Sequence, residues 1–304
     1  MKKPLLLIIF TFFLIMVTAC SNQGEKTNNQ KLNIYTTVYP LEYFTKQIGG
    51  KYVNVKTIYP PGSDEHTYEP SQKDMMDLAD SDLFIYIGLG LEGFANKAKD
   101  ILKGQNVDMV ATGEQLKLPH DASFNDGDEH GDVNPHVWLD PIYMKEMAHT
   151  ISKELAKKMP KHKDEFEKNY TNVAKKLNEL NQQFIDVTKQ SKKKEIVVTH
   201  AAYTYWELRY GIKQDAIAGI STTDEPSQKK LKEIIDTVKR DNLSYILFEQ
   251  NVQSKLAKVV QQETGTKVLY LNNLAVLREA DIKNKEDYFT LMQKNIHTLK
   301  TALN

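Results

Sequence analysis

The architecture is decided by residues 161–190, which read KHKDEFEKNYTNVAKKLNELNQQFIDVTKQ. Apolar residues recur there at alternating steps of four and three, and Lys, Asn, Glu and Gln fill most other positions. This spacing predicts one uninterrupted helix, roughly 40 Å long, with a single apolar stripe. The stripe consists of Phe166, Tyr170, Val173, Leu177, Leu180, Phe184 and Val187.

On both sides of this helix the sequence alternates between strand and helix patterns, which is typical of parallel sheets covered by helices. We therefore interpret the helix as a strut within one molecule rather than as a coiled-coil seam. The predicted fold class is α/β, with two lobes, each a mainly parallel sheet flanked by helices, joined by one long helix. Residues 32–160 form the predicted N-terminal lobe, 161–190 the connecting helix and 191–304 the C-terminal lobe. Strands are predicted at 32–38, 53–58, 82–87 and 107–110, then at 195–199, 215–219, 244–248 and 267–271.

The first residues resemble an export signal. Lys2 and Lys3 precede an uncharged apolar run over residues 4–19, which is shorter than the ~20 residues that a membrane-spanning helix needs. The run ends at Cys20, the only cysteine, in the position of the lipidated cysteine of a bacterial lipoprotein. We therefore expect residues 1–19 to be a signal peptide and residues 20–31 a flexible tether. Lipid on Cys20 would hold the protein at the extracytoplasmic face of the bacterial cell membrane.

Composition narrows the function classes. The chain has 304 residues with 40 basic and 40 acidic side chains, so its formal net charge is zero. A protein that binds nucleic acid through bulk charge would be basic, and we expect no nucleic-acid partner. A single cysteine permits neither an internal disulfide nor a cysteine-rich zinc module. The expected protein is an exported monomer.

Three of the eight histidines stand out by their positions, and two of them follow predicted strands, at whose carboxyl ends ligands bind in open α/β sheets. His66 follows a strand and a Pro-Pro-Gly break, His136 lies in a Pro-bounded turn, and His200 follows the strand at 195–199. If they meet in the cleft between the lobes, three imidazoles predict a transition-metal site, and zinc is the common choice. Spacing alone does not bring them together. The other histidines, assigned to helix surfaces or to the acidic loop 120–132, are His120, His130, His149, His162 and His297.

The surroundings of these three histidines resemble the zinc-binding lipoproteins of bacterial ABC importers, in the adhesin-like class of solute-binding proteins with a rigid connecting helix. Residues 61–70 (PGSDEHTYEP) are similar to the family's "PG…H-x-[YF]-x-P" segment. Residues 134–141 (NPHVWLDP) match its "DPH-[VI]-W-[LM]-[DS]-P" signature except at Asn134. Residues 198–203 (VTHAAY) and 224–227 (DEPS) resemble its "H-x-[AS]-[FY]" and "EPS" segments.

The resemblance implies two α/β lobes with a metal site in the cleft, and His66, His136 and His200 as the metal ligands. It implies that Zn²⁺ is a transported ligand rather than a catalytic cofactor, and that an ABC importer permease is the partner. In manganese-binding relatives the third ligand is a carboxylate. Histidine at position 200 favours zinc, because imidazole suits it better than the harder Mn²⁺. A manganese-binding importer protein remains an alternative.

The sequence departs from the family at the fourth ligand. Zinc-binding members commonly carry a glutamate in a segment like "LNTLE", where this chain has Ala275. The possible replacements are a water molecule, Glu279, Glu65 and Glu249, and we favour water or Glu279. The family's long loop is poor in histidine here, which argues against metal collection by residues 120–132.

Two other function classes compete with transport. Three histidines and a water could also form the open zinc site of a surface hydrolase. The sequence has no HExxH pair and no obvious general base beyond Glu65, so we expect no enzyme. Cell adhesion by a surface protein could coexist with transport, although the sequence has no repeats that favour it.

Overall fold

A computed structural model describes residues 31–119, 133–252 and 254–304. The predicted signal peptide, Cys20 and the tether up to residue 30 lie outside the described residues, and so do His120, His130 and the loop 120–132. Within the described ranges, no helix has the length and apolar character needed to cross a membrane.

The first lobe contains a four-stranded parallel sheet in the order β2-β1-β3-β4. The loops at the carboxyl edge of this sheet are candidates for a binding site, because ligands bind at that edge in open α/β sheets. The strands are β1 (Leu32–Thr36), β2 (Val53–Thr57), β3 (Leu83–Tyr86) and β4 (Asp108–Ala111). The helices are α1 (Tyr39–Gly49), α2 (Gln72–Ala79), α3 (Ala95–Leu102) and α4 (Pro141–Lys158).

The second lobe repeats this topology, with a parallel sheet in the order β6-β5-β7-β8. Its strands are β5 (Glu195–Val198), β6 (Lys213–Ala216), β7 (Tyr245–Glu249) and β8 (Lys267–Leu271). Its helices are α6 (Thr204–Tyr210), α7 (Gln228–Arg240), α8 (Lys255–Thr264), α9 (Glu279–Lys283) and α10 (Tyr288–Ala302).

The long helix α5 (Lys163–Gln190) links the two lobes, as predicted. It begins after a short 3-10 turn, Pro160–His162, because Pro160 fits the first turn of a helix but cannot continue one. Asn169 on α5 donates to the Ile48 carbonyl of the first lobe at 2.9 Å. Near the other end, the Phe184 ring stacks on Tyr210 of the second lobe with ring centroids 5.1 Å apart. The predicted fold class is therefore confirmed.

The apolar core runs across both lobes. The chain's two tryptophans, both fully buried, each donate their indole N–H to the opposite lobe. Trp138 donates to the Asn273 carbonyl at 2.6 Å, and Trp206 donates to the Leu139 carbonyl at 2.8 Å. Moving the lobes apart would expose these rings and leave their N–H groups without partners, which opposes a wide opening of the cleft.

The structure differs from the sequence prediction mainly in the second lobe. Strand β6 begins at Lys213 and ends at Ala216, whereas the prediction was 215–219. The reason is register, since Ala216 pairs with Val198, the last residue of β5. The short helix α9 was not predicted. It is too short for a periodic signal, and an Arg278–Asp281 pair caps it instead.

We expect Leu177→Ala to lower the free energy of unfolding by about 2–5 kcal/mol, because Leu177 is fully buried on the apolar stripe of α5. Leu208→Ala is the matched control, since Leu208 is exposed on helix α6. Denaturant unfolding measures both. Equal and small decreases in the free energy of unfolding for the two variants would contradict a stabilising role for the apolar stripe.

Candidate metal centre

His66 lies in the loop between β2 and α2, at the carboxyl edge of the first sheet. The loop turns at Gly62, whose φ of 77° suits glycine, and Ser63 N donates to the Pro60 carbonyl at 3.2 Å. The Asp64 carboxylate then accepts the backbone N–H of His66 at 2.9 Å. This turn aims consecutive side chains, Glu65 and His66, toward the second lobe.

His136 and His200 approach from the other two sides. His136 immediately precedes the 3-10 turn Val137–Leu139, in the Pro-bounded segment that the sequence singled out. His200 follows the end of β5 at the carboxyl edge of the second sheet. Both side chains are fully buried.

The structure brings the three predicted histidines together from both lobes. His136 Nε2 lies 3.1 Å from His66 Nε2 and 3.2 Å from His200 Nε2. A tetrahedral zinc ion with Zn–N bonds of about 2.0–2.1 Å requires nitrogens about 3.3–3.4 Å apart. Ligand atoms of Glu65, His66, His136 and His200 all lie within 4.8 Å of one another. The arrangement is therefore close to the size of a tetrahedral metal site.

Two of the imidazoles are oriented through their second nitrogen. His136 Nδ1 lies 2.8 Å from the Asn134 side-chain oxygen, and His200 Nδ1 lies 2.5 Å from Glu249 Oε1. Nδ1 is therefore the protonated nitrogen in both rings, and the Nε2 lone pair faces the shared centre. Metal-binding histidines are held in this way by carboxylate or carbonyl oxygens.

Burial sets the protonation of the cluster. Burial, together with the neighbouring His200, lowers the pKa of His66 to about 4 and that of His136 well below its ordinary value. Burial also lowers the pKa of His200, but the adjacent Glu249 carboxylate outweighs it, so the net shift is upward. His66 and His136 are thus neutral at pH 7, which is the state in which imidazole binds a metal.

Glu65 is the carboxylate that lies within the cluster. It is 2% exposed, and Asn273 Nδ2 donates to its Oε1 at 2.9 Å. Burial raises its pKa to about 8 because the charged form has lost its hydration. A bound cation would restore a partner for the carboxylate.

The other candidates for a fourth ligand are placed elsewhere. Glu249 lies behind His200 and accepts from Thr199 Oγ1 at 3.2 Å, outside the ligand group. Glu279 is exposed at the start of α9, so the preference for Glu279 is not supported. Ala275 is fully buried and has no ligand atom to offer. Whether a water molecule completes the site stays a prediction.

The described histidines that were assigned to helix surfaces are not members of this ligand group. His149 stacks on Tyr170 with ring centroids 4.8 Å apart, and His162 stacks on Tyr52 at 3.9 Å. His297 is exposed on α10. The sequence did not reveal Asn273 as a partner of Glu65, because the two are separated by 208 residues and share no motif.

We expect Glu249→Gln to weaken zinc binding about 10–100-fold, because the neutral amide no longer raises the basicity of His200. Glu263→Gln, on the exposed surface of α8, is the matched control and should bind as the wild type does. Competition titration against a zinc chelator measures both. An unchanged affinity for Glu249→Gln would show that this contact does not tune the site.

Comparisons with known proteins find zinc-binding relatives along almost the whole chain. The family described as "ZnuA: Zinc-uptake complex component A periplasmic" matches residues 34–302. The zinc-binding lipoprotein AdcA of Streptococcus pneumoniae (strain ATCC BAA-255 / R6) is 37% identical over 305 aligned residues, covering 98% of this chain and 60% of AdcA. The high-affinity zinc uptake system protein ZnuA of Bacillus subtilis (strain 168) is 31% identical, covering 99% of this chain and 98% of that protein.

Solved structures extend the likeness to the fold. The crystal structure of the Zn(II)-bound ZnuA-like domain of S. pneumoniae AdcA has a TM-score of 0.76 and 36% identity, covering 90% of this chain and 99% of that one. The laminin-binding protein Lmb of Streptococcus agalactiae, described as bifunctional with adhesin and metal transporting activity, has a TM-score of 0.78 and 31% identity, covering 90% of this chain and 100% of that one.

The chain spans 60% of the length of the AdcA proteins that it matches, but nearly the full length of B. subtilis ZnuA. The family match covers almost all residues of the two lobes and their connecting helix. The chain therefore belongs to the ZnuA family of zinc-uptake components.

Proposed function

We propose that the protein captures Zn²⁺ outside the cytoplasmic membrane and delivers it to the permease of an ABC importer. The observation that carries the proposal is the convergence of three imidazoles. His136 Nε2 lies 3.1 Å from His66 Nε2 and 3.2 Å from His200 Nε2. Zinc is the cargo in this proposal, and each protein group acts as a ligand or as the support of a ligand.

His66, His136 and His200 are the proposed nitrogen ligands, and the Glu65 carboxylate is the proposed fourth ligand. Three imidazoles and one carboxylate form a tetrahedral donor set of the kind that zinc prefers. Oxygen-rich sites suit Mn²⁺ better, so this nitrogen-rich set supports zinc over manganese. The Zn(II)-bound form of the AdcA domain, the structure of a relative, supports the same choice.

Burial of the cluster supports capture rather than catalysis. His136, His200 and Glu65 are buried and His66 is half-buried, so a peptide or ester has little access to an ion held among them. A hydrolytic zinc site instead keeps a coordination position open to substrate. A hydrolase is therefore not favoured, and we propose a non-enzymatic role.

Delivery to a membrane permease fits an anchored protein. We propose a signal peptide at residues 1–19, lipid on Cys20 and a tether over 20–31, followed by the lobe–helix–lobe division at 32–160, 161–190 and 191–304. The word "lipoprotein" in the name of the S. pneumoniae relative supports the anchor. A monomer is proposed, and adhesion stays a prediction for this chain.

The decisive experiment is metal analysis and competitive zinc titration of the purified protein. We expect one tightly bound zinc per chain, with loss of at least 100-fold in affinity for His136→Ala and His200→Ala, because each variant removes a buried ligand. His297→Ala, on the exposed face of α10, is the matched control. A wild-type protein that holds no tight zinc, or a His200→Ala variant that binds normally, would contradict the proposed function.

The fourth ligand is tested by comparing two glutamate variants. We expect Glu65→Gln to weaken zinc binding by at least tenfold, because the amide oxygen is a poorer ligand than a carboxylate. Glu279→Gln should have no effect, since Glu279 is exposed on α9. Equal affinities for wild type and Glu65→Gln would instead favour water as the fourth ligand.

A further inference from the structure

The segment before His136 contains a buried asparagine that contacts both lobes. Asn134 is fully buried, and its side chain makes four hydrogen bonds. Its oxygen accepts from the backbone N–H of His136 at 3.0 Å and faces His136 Nδ1 at 2.8 Å. Its nitrogen donates to the Ala201 carbonyl at 2.5 Å and to Thr204 Oγ1 at 3.0 Å.

The orientation of this amide is fixed by backbone groups. The His136 N–H can only donate, so the atom facing it must be the oxygen of Asn134. The Ala201 carbonyl can only accept, so the atom facing it must be the nitrogen. Because the oxygen accepts from His136 Nδ1 as well, the ring proton lies on Nδ1 and the Nε2 lone pair is free for a ligand.

The two halves of the amide serve different lobes. The oxygen orients His136 on the first lobe, whereas the nitrogen holds Ala201 and Thr204, which follow His200 on the second lobe. Ala201 is covalently next to His200, so a displacement of its carbonyl would displace that histidine. Trp138 and Trp206 also bond across the lobes, but neither indole forms a hydrogen bond with a candidate ligand.

We propose that Asn134 is a positioning residue that couples the two lobes at the zinc site, setting the tautomer of His136 and the distance from His136 to His200 with one side chain. The inference rests on the proposed zinc binding. It assigns a requirement for an amide, not merely for an acceptor, at a position where the resembling family usually carries aspartate.

Asparagine and aspartate at this position have nearly the same shape, so Asn134→Asp separates the two halves of the amide. A carboxylate can still accept from both His136 N–H groups. It cannot donate to the Ala201 carbonyl, and its charge would face that oxygen, whereas the Thr204 hydroxyl can reverse its role and donate to the carboxylate. Asn134→Leu removes both halves at similar volume.

The test is competitive zinc titration of the full chain, together with ¹⁵N NMR of the imidazole of His136 in metal-free protein. We expect Asn134→Asp to weaken zinc binding 10–100-fold while the Nδ1–H tautomer persists, because the lost bond to the Ala201 carbonyl and the charge placed beside it outweigh the basicity that a carboxylate adds to His136. Asn134→Leu should weaken zinc binding further and lose the single tautomer. Asn172→Asp, on an exposed face of α5, controls for added charge and should bind as the wild type does.

Wild-type zinc affinity in Asn134→Asp would overturn the coupling role and leave Asn134 as a simple acceptor for His136. If Asn134→Asp fails to fold, Thr204→Val decides, because it removes one cross-lobe partner and leaves His136 untouched. We expect a severalfold loss of zinc affinity in Thr204→Val, and an unchanged affinity would overturn the proposal. Absence of tight zinc in the wild type, with the His136 tautomer as described, would instead refute the proposed function and not the role of Asn134 in orienting the ring.

Discussion

The docking of helix α6 on the segment 134–143 is the constraint on which the rest of the structure depends. Trp206 donates to the Leu139 carbonyl, Tyr205 donates to the Asn134 carbonyl at 2.5 Å, and Arg209 pairs with the buried Asp140. These contacts hold the residues that follow His200 against the residues that surround His136. Because Trp206, Tyr205 and Asp140 are buried, removing one of these contacts would leave an unpaired polar group inside the protein, so the two lobes are held in a fixed relative position.

Local patterns in the sequence predicted the fold and three residues of the candidate site. The stripe on α5 and the alternation of strands and helices are local signals, and they predicted the fold and most element boundaries. His66, His136 and His200 were identified by their place after strands and in a Pro-bounded turn, since parallel strands bring their carboxyl ends to one edge.

The fourth group of the cluster and its supports could not be predicted in the same way. In the sequence Glu65 stands beside His66 and Glu279 stands four residues after Ala275, and the sequence analysis favoured Glu279 over Glu65. Only the turn at Gly62, which aims Glu65 inward, and the solvent-facing start of α9 distinguish them. Asn273 and Glu249 contact Glu65 and His200 across 208 and 49 residues of chain, and no local pattern reports such distances.

The continuous core beneath the cleft has a thermodynamic consequence. Domain closure around a ligand ordinarily buries apolar surface, and its signature is a negative heat-capacity change. Here Trp138 and Trp206 are fully buried in a core that the two lobes share. Any motion that separated the lobes would expose both rings to water and would therefore raise the heat capacity.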